Sequence, residues 1–170
     1  MTRPPLVVVF VAVLMLALGA SAGAVMGGLR QETQRYARAR IAANAAAHGF
    51  TGSAEYDDEV VTRAVFAAEA GLSFFHTHAQ GLSPIVLLAG TLVATCVPRR
   101  RWRGALQGAL AAGALFPVGF LVYGLAVLEA GRDTGAALAE RWVLTPLGSL
   151  VIVALLVLGA ALARARAKPP

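Results

Sequence analysis

A stripe of polar side chains is the part of this sequence best suited to chemistry. It lies in the stretch 69–84, where polar residues recur at intervals of four, three, four and three: Glu69, Ser73, His76, Gln80 and Ser83. In a helix, this spacing places all five on one face. A polar face is costly in lipid unless it meets the protein interior, water, a partner or a ligand. We therefore expect this stripe to point inward or toward another subunit.

Two histidines, His76 and His78, are the candidate metal ligands. Two residues along a straight helix correspond to about 200° of rotation, so the two rings would then face opposite sides. However, Gly81 and the pair Ser83-Pro84 could interrupt the helix, since serine is a good N-cap and proline suits the first helical position. A kinked helix would let both rings bind one metal ion, whereas a straight helix would give them separate contacts. The sequence leaves both geometries open.

Copper, zinc and haem are the cofactors that this arrangement suggests. Imidazole and carboxylate suit copper and zinc, which makes Glu69 a candidate third ligand. Four further residues would orient the ligands by hydrogen bonds: Ser73, Gln80, Ser83 and Glu129. A haem would need a second axial ligand from a partner or a symmetry mate, because the remaining histidine, His48, is predicted to lie far from His76. The alternative is that the histidines are only hydrogen-bonded and anchor the helix.

A second, weaker cluster combines His48 with three carboxylates, Glu55, Asp57 and Asp58. These side chains could form an external site for a divalent ion. A solvated helix start is the preferred interpretation, because carboxylates complement the positive end of a helix.

Four apolar stretches must position these residues, and each is compared with the roughly 20 residues needed to span a bilayer. They cover residues 6–29, 78–97, 104–128 and 142–163. The second reaches this length only when it is extended back to His78, so the histidines should lie at the membrane boundary. The composition agrees, since 58% of the 170 residues are hydrophobic and 14% are charged. We predict an all-α, integral membrane four-helix bundle that forms a single domain over residues 1–170.

The first stretch also has features of a cleavable secretory signal, with Arg3 before it and small residues at 20–22. Its 24 apolar residues exceed the usual signal core of about 7–15. We therefore expect residues 1–22 to remain part of the chain as an uncleaved helix.

The distribution of charge predicts the orientation. Eight basic residues and no acidic ones occur in the segments expected on one side: Arg3, Arg99, Arg100, Arg101, Arg103, Arg164, Arg166 and Lys168. The segments 30–77 and 129–141 hold the other basic residues and every acidic one. Positively charged loops stay in the cytoplasm. Both termini should therefore be cytoplasmic in a plasma or inner membrane, with 30–77 and 129–141 external. This placement also explains the net charge of +6 without nucleic acid.

The external segment 30–77 is predicted to be a helical hairpin that extends the first two membrane helices outward. Residues 30–48 are rich in helix-forming alanine, arginine and glutamine. A turn over residues 49–53 follows, and acidic residues then open the next helix. Nineteen helical residues would project roughly 28 Å from the membrane.

Small residues predict close helix packing. Gly19, Gly23 and Gly27 recur every four residues in the first stretch, and such spacing lets helix backbones approach closely in lipid. Gly108 belongs to the third stretch, where Pro117 predicts a kink. These faces could serve this chain's own bundle, a homo-oligomer or another membrane subunit.

Two functions follow from these features. The first is an accessory subunit of a membrane redox or metal-handling complex, with a metal or haem at His76 and His78. The second is a non-catalytic structural or assembly subunit that docks partner subunits through its hairpin and its glycine face. A transporter or channel ranks third. The sequence has no nucleophile-base arrangement and no phosphate-binding loop, so we expect no catalytic activity of its own.

Overall fold

A computed structural model describes residues 3–166, and within this range the chain is helical without strands. Helix forms because alanine and leucine dominate and because the breakers fall mostly at the element ends. The elements are α1 (Leu6–Gly28), α2 (Arg30–Ala43), α3 (Ala54–Cys96), α4 (Arg100–Gly113), α5 (Val118–Ala130), α6 (Arg132–Ala139), a π-helical turn (Glu140–Leu144) and α7 (Thr145–Arg166).

Four helical segments are long and apolar enough to cross a membrane: Leu6–Gly28, Ala54–Cys96, Arg100–Ala130 and Arg132–Ala165. This number agrees with the sequence prediction and is characteristic of a membrane protein. The 43 residues of α3 correspond to roughly 64 Å of helix, about twice the hydrocarbon thickness of a bilayer. Helix α3 is therefore long enough to form both a membrane span and one arm of a hairpin with α2.

Helix α3 continues without interruption through Pro84. Ser83 does not begin a new helix. Its hydroxyl donates to the carbonyl oxygen of Ala79, one turn earlier, at 2.7 Å. Of the two geometries that the sequence leaves open, the structure has the straight one.

The third span is divided at Pro117, as the sequence predicts. Helix α4 ends at Gly113 and α5 begins at Val118. Proline has no N–H and its ring clashes with the carbonyl four residues earlier, which weakens an α-helix at that point. The intervening turn is instead held by tighter bonds, for example from the N–H of Phe116 to the oxygen of Gly113 at 2.9 Å.

The predicted external loop at 129–141 is mostly helical, which corrects the sequence interpretation of this segment. The chain reverses at Gly131, and α6 begins at the next residue, Arg132. Gly131 has a φ of +81°, and a side chain there would meet the Ala47 carbonyl oxygen at 2.6 Å. Glycine alone suits both the backbone angle and the close contact. The fourth long helix thus starts at Arg132 rather than at Trp142.

A π-helical turn at Glu140–Leu144 joins α6 to α7. It ends two residues before Pro146, which has no N–H to donate to the preceding turn. A widened turn is one way in which a helix accommodates such a defect. The turn brings Leu144 against Gly119 of α5, where a methyl group on the glycine would lie 2.5 Å from Leu144 Cδ2.

Two apolar cores lie at opposite ends of the bundle. At the end that carries Arg3 and Arg99–Arg103, here called the basic end, α1, α3, α4 and α7 share one core that includes Val8, Val93, Leu110, Ala154 and Leu158. At the other end, called the hairpin end, α2, α3 and α5 share a core that includes Ala37, Ile41, Ala64, Val65 and Val127. The polar stripe of α3 lies between these two cores.

Candidate functional site

His76 of α3 binds the backbone of α1. Its ring atom Nδ1 lies 2.8 Å from the carbonyl oxygen of Gly19. Because a carbonyl only accepts, Nδ1 must carry the proton and donate it. The same ring covers Gly23, where a methyl group would lie 2.8 Å from His76 Cε1. Two of the glycines predicted for helix packing therefore contact α3 within the chain itself: Gly23 makes room for the His76 ring, and Gly19 makes room for Ala79.

Two other members of the stripe also face α1 and α2. Gln80 Nε2 donates to the carbonyl oxygen of Leu16 at 3.0 Å. At the hairpin end of the stripe, Gln34 Nε2 of α2 donates to Glu69 Oε1 at 2.7 Å. Together with His76, these contacts form a row of three hydrogen bonds along one side of α3. The stripe points inward, as the sequence predicts. It joins α3 to the consecutive helices α1 and α2, here called the α1–α2 arm.

The other two stripe residues make different contacts. Ser83 is buried and bonds within α3. Ser73 lies at the wall of a cavity between the helices.

His78 faces a different helix from His76. Its Nδ1 donates to the carbonyl oxygen of Phe74 at 2.8 Å, one turn earlier in α3. Its ring lies 4.6 Å, between centroids, from Phe120 of α5 and 5.8 Å from Phe116. The ring therefore belongs to an aromatic cluster between α3 and the third span. The structure gives the two histidines separate neighbours.

The predicted metal ligands are not brought together as a set. Within residues 3–166, no three side chains of the types His, Cys, Asp and Glu are grouped closely enough to hold a metal ion. His76 contacts α1, His78 contacts α5, and Glu69 contacts α2. A role for these residues with copper, zinc or haem stays a prediction that this geometry does not support.

Glu129 lies in a cluster at the hairpin end, where the sequence interpretation did not place it. Its carboxylate pairs with the guanidinium of Arg40 through two hydrogen bonds, one of them 2.7 Å long from Nε to Oε1. Asn44 Nδ2 donates to the same carboxylate at 3.1 Å. Both carboxylate oxygens are therefore engaged by α2 and the residue that follows it, and none of the hydrogen bonds described joins Glu129 to the His76 stripe, for which it was suggested as an orienting residue.

His48 is the fourth residue of this cluster. Arg40, Asn44, His48 and Glu129 are together called the clamp here, because they join the hairpin to the end of α5. His48 Nε2 lies 3.1 Å from the carbonyl oxygen of Leu128. Arg40, Asn44 and His48 recur every four residues, a spacing that places them on one side of a helical segment. This spacing is a sequence signal that could have indicated the clamp. The hydrogen bond from Arg40 to Glu129 raises the pKa of the guanidinium above its already high ordinary value. Arg40 therefore stays charged at every physiological pH.

The carboxylates suggested as an external ion site instead begin α3. Asp57 accepts hydrogen bonds from the backbone N–H groups of Thr51 and Gly52 at 2.9 and 3.0 Å. Asp58 lies 4.0 Å from Arg38. His48, which binds Leu128, is not paired with them. This arrangement fits the preferred interpretation of a solvated helix start.

We expect the change Glu129→Gln to loosen the hairpin without unfolding the bundle. The substitution removes the charge that holds Arg40, while the apolar core beneath the clamp is retained. Exposed ion pairs contribute little to global stability, so the effect should be local. Hydrogen exchange followed by mass spectrometry should show a few-fold faster exchange in residues 36–50. Asp58→Asn is the matched control, because its pairing with Arg38 is longer and more exposed. Equal exchange in both variants would contradict the clamp.

A cavity lies between α1, α2, α3 and α5. Its volume is about 580 Å³ and its wall is mainly apolar. Phe66 and Tyr36 contribute to this wall and are 72% and 54% exposed. Glu69 and Ser73 add polar groups on one side. The cavity is thus a groove whose rim presents aromatic side chains near the hairpin end.

The remaining glycines predicted for packing behave differently. A methyl group at Gly27 or Gly108 would have no neighbour within 4 Å. These two positions do not pack within the chain, in contrast to Gly19 and Gly23. Pro117 is fully buried, in keeping with its predicted place inside the bundle.

Comparison with protein-family models, with curated proteins and with solved structures finds no match to this chain. Its function is therefore inferred from the geometry described above.

Proposed function

We propose that this protein is a non-catalytic membrane subunit that holds or assembles a partner membrane protein. The observation that carries this proposal is the row of hydrogen bonds in which His76 and Gln80 donate to α1 and Glu69 accepts from Gln34 of α2. Polar groups near a membrane boundary need partners, and here the partners belong to the chain itself. The histidines hold helices together, and this favours a scaffold over a metal centre.

The proposed orientation places the basic end in the cytoplasm and the hairpin outside. The basic end carries arginines without acidic residues, which is the charge bias of cytoplasmic segments. The acidic residues lie in α2, in α3 up to Glu69, at the end of α5, in α6 and in the π-helical turn. In a plasma or inner membrane, α2 and the first half of α3 would then project outward as a braced hairpin.

The surface proposed to receive the partner is the groove beside this hairpin. Exposed aromatic side chains are enriched where proteins bind one another, and Phe66 and Tyr36 stand at the rim. Gly27 lies at the hairpin end of α1 with open space around it. A helix of a partner subunit could approach closely there, since small residues allow backbone contact in lipid.

Site-specific photo-crosslinking in intact cells tests the proposed docking surface. A photoreactive phenylalanine analogue at Phe66 should give one discrete adduct with a different membrane protein. The matched control is the same analogue at Ile152, which is 58% exposed on α7 and away from the groove. An adduct that forms only between copies of this chain, or equal labelling at both positions, would contradict docking of a partner subunit at the groove.

Metal analysis and a visible spectrum of the protein purified in mild detergent test the competing function. We expect no stoichiometric copper or zinc and no Soret band, in the wild type as in a variant with His76→Ala and His78→Ala. A stoichiometric metal or haem that disappears in this variant would overturn the scaffold proposal in favour of a redox or metal-handling subunit.

A further inference from the structure

A second cavity, at the basic end, gathers positive charge. It has a volume of about 500 Å³ and is lined by three arginines, Arg3, Arg100 and Arg103, together with Gln107. Among the described residues, 3–166, no acidic residue lines it, and the sequence has no acidic residue before Glu32 or between Glu69 and Glu129. Three arginine residues therefore line one cavity without an acidic residue from the described part of the chain. Such a site favours an anion, and guanidinium binds phosphate oxygens in pairs.

The start of α4 adds to this preference. Its cap residue Arg99 makes no side-chain hydrogen bond to the helix, and the first turn contains no acidic residue. The first N–H groups of a helix lack partners within the helix and carry partial positive charge. Arg100 and Arg103 belong to this first turn, so the same end of α4 supplies both side-chain and backbone donors.

Gln107 provides an independent indication of a ligand. It lies one turn beyond Arg103 and is only 4% exposed. Its Nε2 donates to the carbonyl oxygen of Gly90 at 2.7 Å, but its Oε1 is buried without a hydrogen-bond partner among residues 3–166. Buried acceptors are almost always paired in folded proteins. A ligand that brings a hydroxyl group would satisfy this oxygen.

We propose that this cavity binds the headgroup of an anionic phospholipid, with its phosphate on the three arginines and a headgroup hydroxyl on Gln107 Oε1. The cavity lies where α1 begins, α3 ends and α4 begins, at the ends of three candidate membrane spans. Trp102 is 57% exposed in the same turn of α4, as is common for side chains at headgroup depth. Basic pockets between membrane helices bind anionic headgroups in this way. A soluble phosphate is also an anion, but it lacks the acyl chains that would hold it at this depth.

Native mass spectrometry of the full chain in detergent tests the proposal. Phosphatidylglycerol should bind one molecule per chain at least about tenfold more tightly than phosphatidylcholine with the same acyl chains. The triple variant Arg3→Gln, Arg100→Gln, Arg103→Gln should lose this preference. Equal binding of the two lipids by the wild-type protein would overturn the site.

A second triple variant separates the cavity from general surface charge. Arg99→Gln, Arg101→Gln and Arg164→Gln remove three charges from the basic end, but none of these residues lines the cavity. This variant should keep most of the preference for phosphatidylglycerol. An equal loss in both triples would show diffuse attraction and would overturn the proposed site.

Two further ligands test the chemistry of recognition. Phosphatidylmethanol has the charge of phosphatidylglycerol but no headgroup hydroxyl, so it should bind more weakly; equal binding would overturn the role of Gln107. Soluble glycerol 3-phosphate should displace little phosphatidylglycerol from the protein. If it displaced the lipid when both were present at the same concentration, the assignment to a lipid would be overturned.

Discussion

Replacing Gly71 by alanine is expected to destabilise the protein by about 1–3 kcal/mol, the usual cost of overfilling a packed site. A methyl group at this position would lie 2.7 Å from the carbonyl oxygen of Phe120 and 3.0 Å from the Cα of Gly124. Both neighbours are backbone atoms of α5, so no side chain can rotate away. Helices α3 and α5 would have to move apart, which would also disturb the aromatic cluster around His78.

A matched control lies ten residues later on the same helix. A methyl group at Gly81 would have nothing within 4 Å, so Gly81→Ala should leave stability unchanged or raise it by up to about 1 kcal/mol. Denaturant titrations of both variants in one detergent, followed by circular dichroism, measure the difference. Equal stabilities of the two variants would mean that α3 and α5 do not make this backbone contact.

The number of membrane spans was predictable because it depends on the length of apolar runs. About 20 such residues are needed to cross lipid wherever they occur in the chain. The predicted first stretch, residues 6–29, and helix α1, Leu6–Gly28, differ by one residue. A kink at Pro117 was also predicted from its missing N–H, and the helix is divided there, but α3 continues through Pro84, so a proline alone does not determine where a helix ends.

Tertiary partners were not readable, because they depend on how helices meet. Glu129 follows the third apolar stretch, and nothing in its own neighbourhood points to Arg40, which precedes it by 89 residues. The segment after it, residues 130–141, was interpreted as a loop because it is short and polar. In the structure, Gly135 allows α6 to pack directly on the backbone of α5. A methyl group at position 135 would lie only 2.5 Å from the backbone nitrogen of Val127.

The sequence predicted that the polar stripe of α3 faces inward, but not which groups it contacts. Its spacing correctly placed Glu69, His76 and Gln80 on one inward face. Whether that face meets a metal or another helix is decided by what lies opposite, and the sequence of α3 does not contain this information. The deciding residues lie on α1: Gly23 leaves room for the imidazole, and Gly19 allows close contact with Ala79 and offers its carbonyl oxygen to the ring.

A double-mutant cycle between Gly23 and His76 tests this arrangement. Gly23→Ala alone should destabilise the protein by about 1–3 kcal/mol, because its methyl group would lie 2.8 Å from His76 Cε1 and 2.9 Å from Nδ1. Displacing the ring would also break its hydrogen bond to Gly19. In a His76→Ala background the ring is gone, so the same change at Gly23 should cost little. We expect a coupling free energy of at least about 1 kcal/mol, in the range typical of contacting residues.

Gly27→Ala supplies the control for this cycle. Gly27 lies one turn beyond Gly23 on α1, and a methyl group there would have no neighbour within 4 Å. Its effect should therefore be the same with and without the His76 ring. If the Gly23 and His76 changes were instead strictly additive, the ring would not lie against α1. His76 would then be available to a ligand or a partner, and the main argument for a scaffold over a metal-binding subunit would be lost.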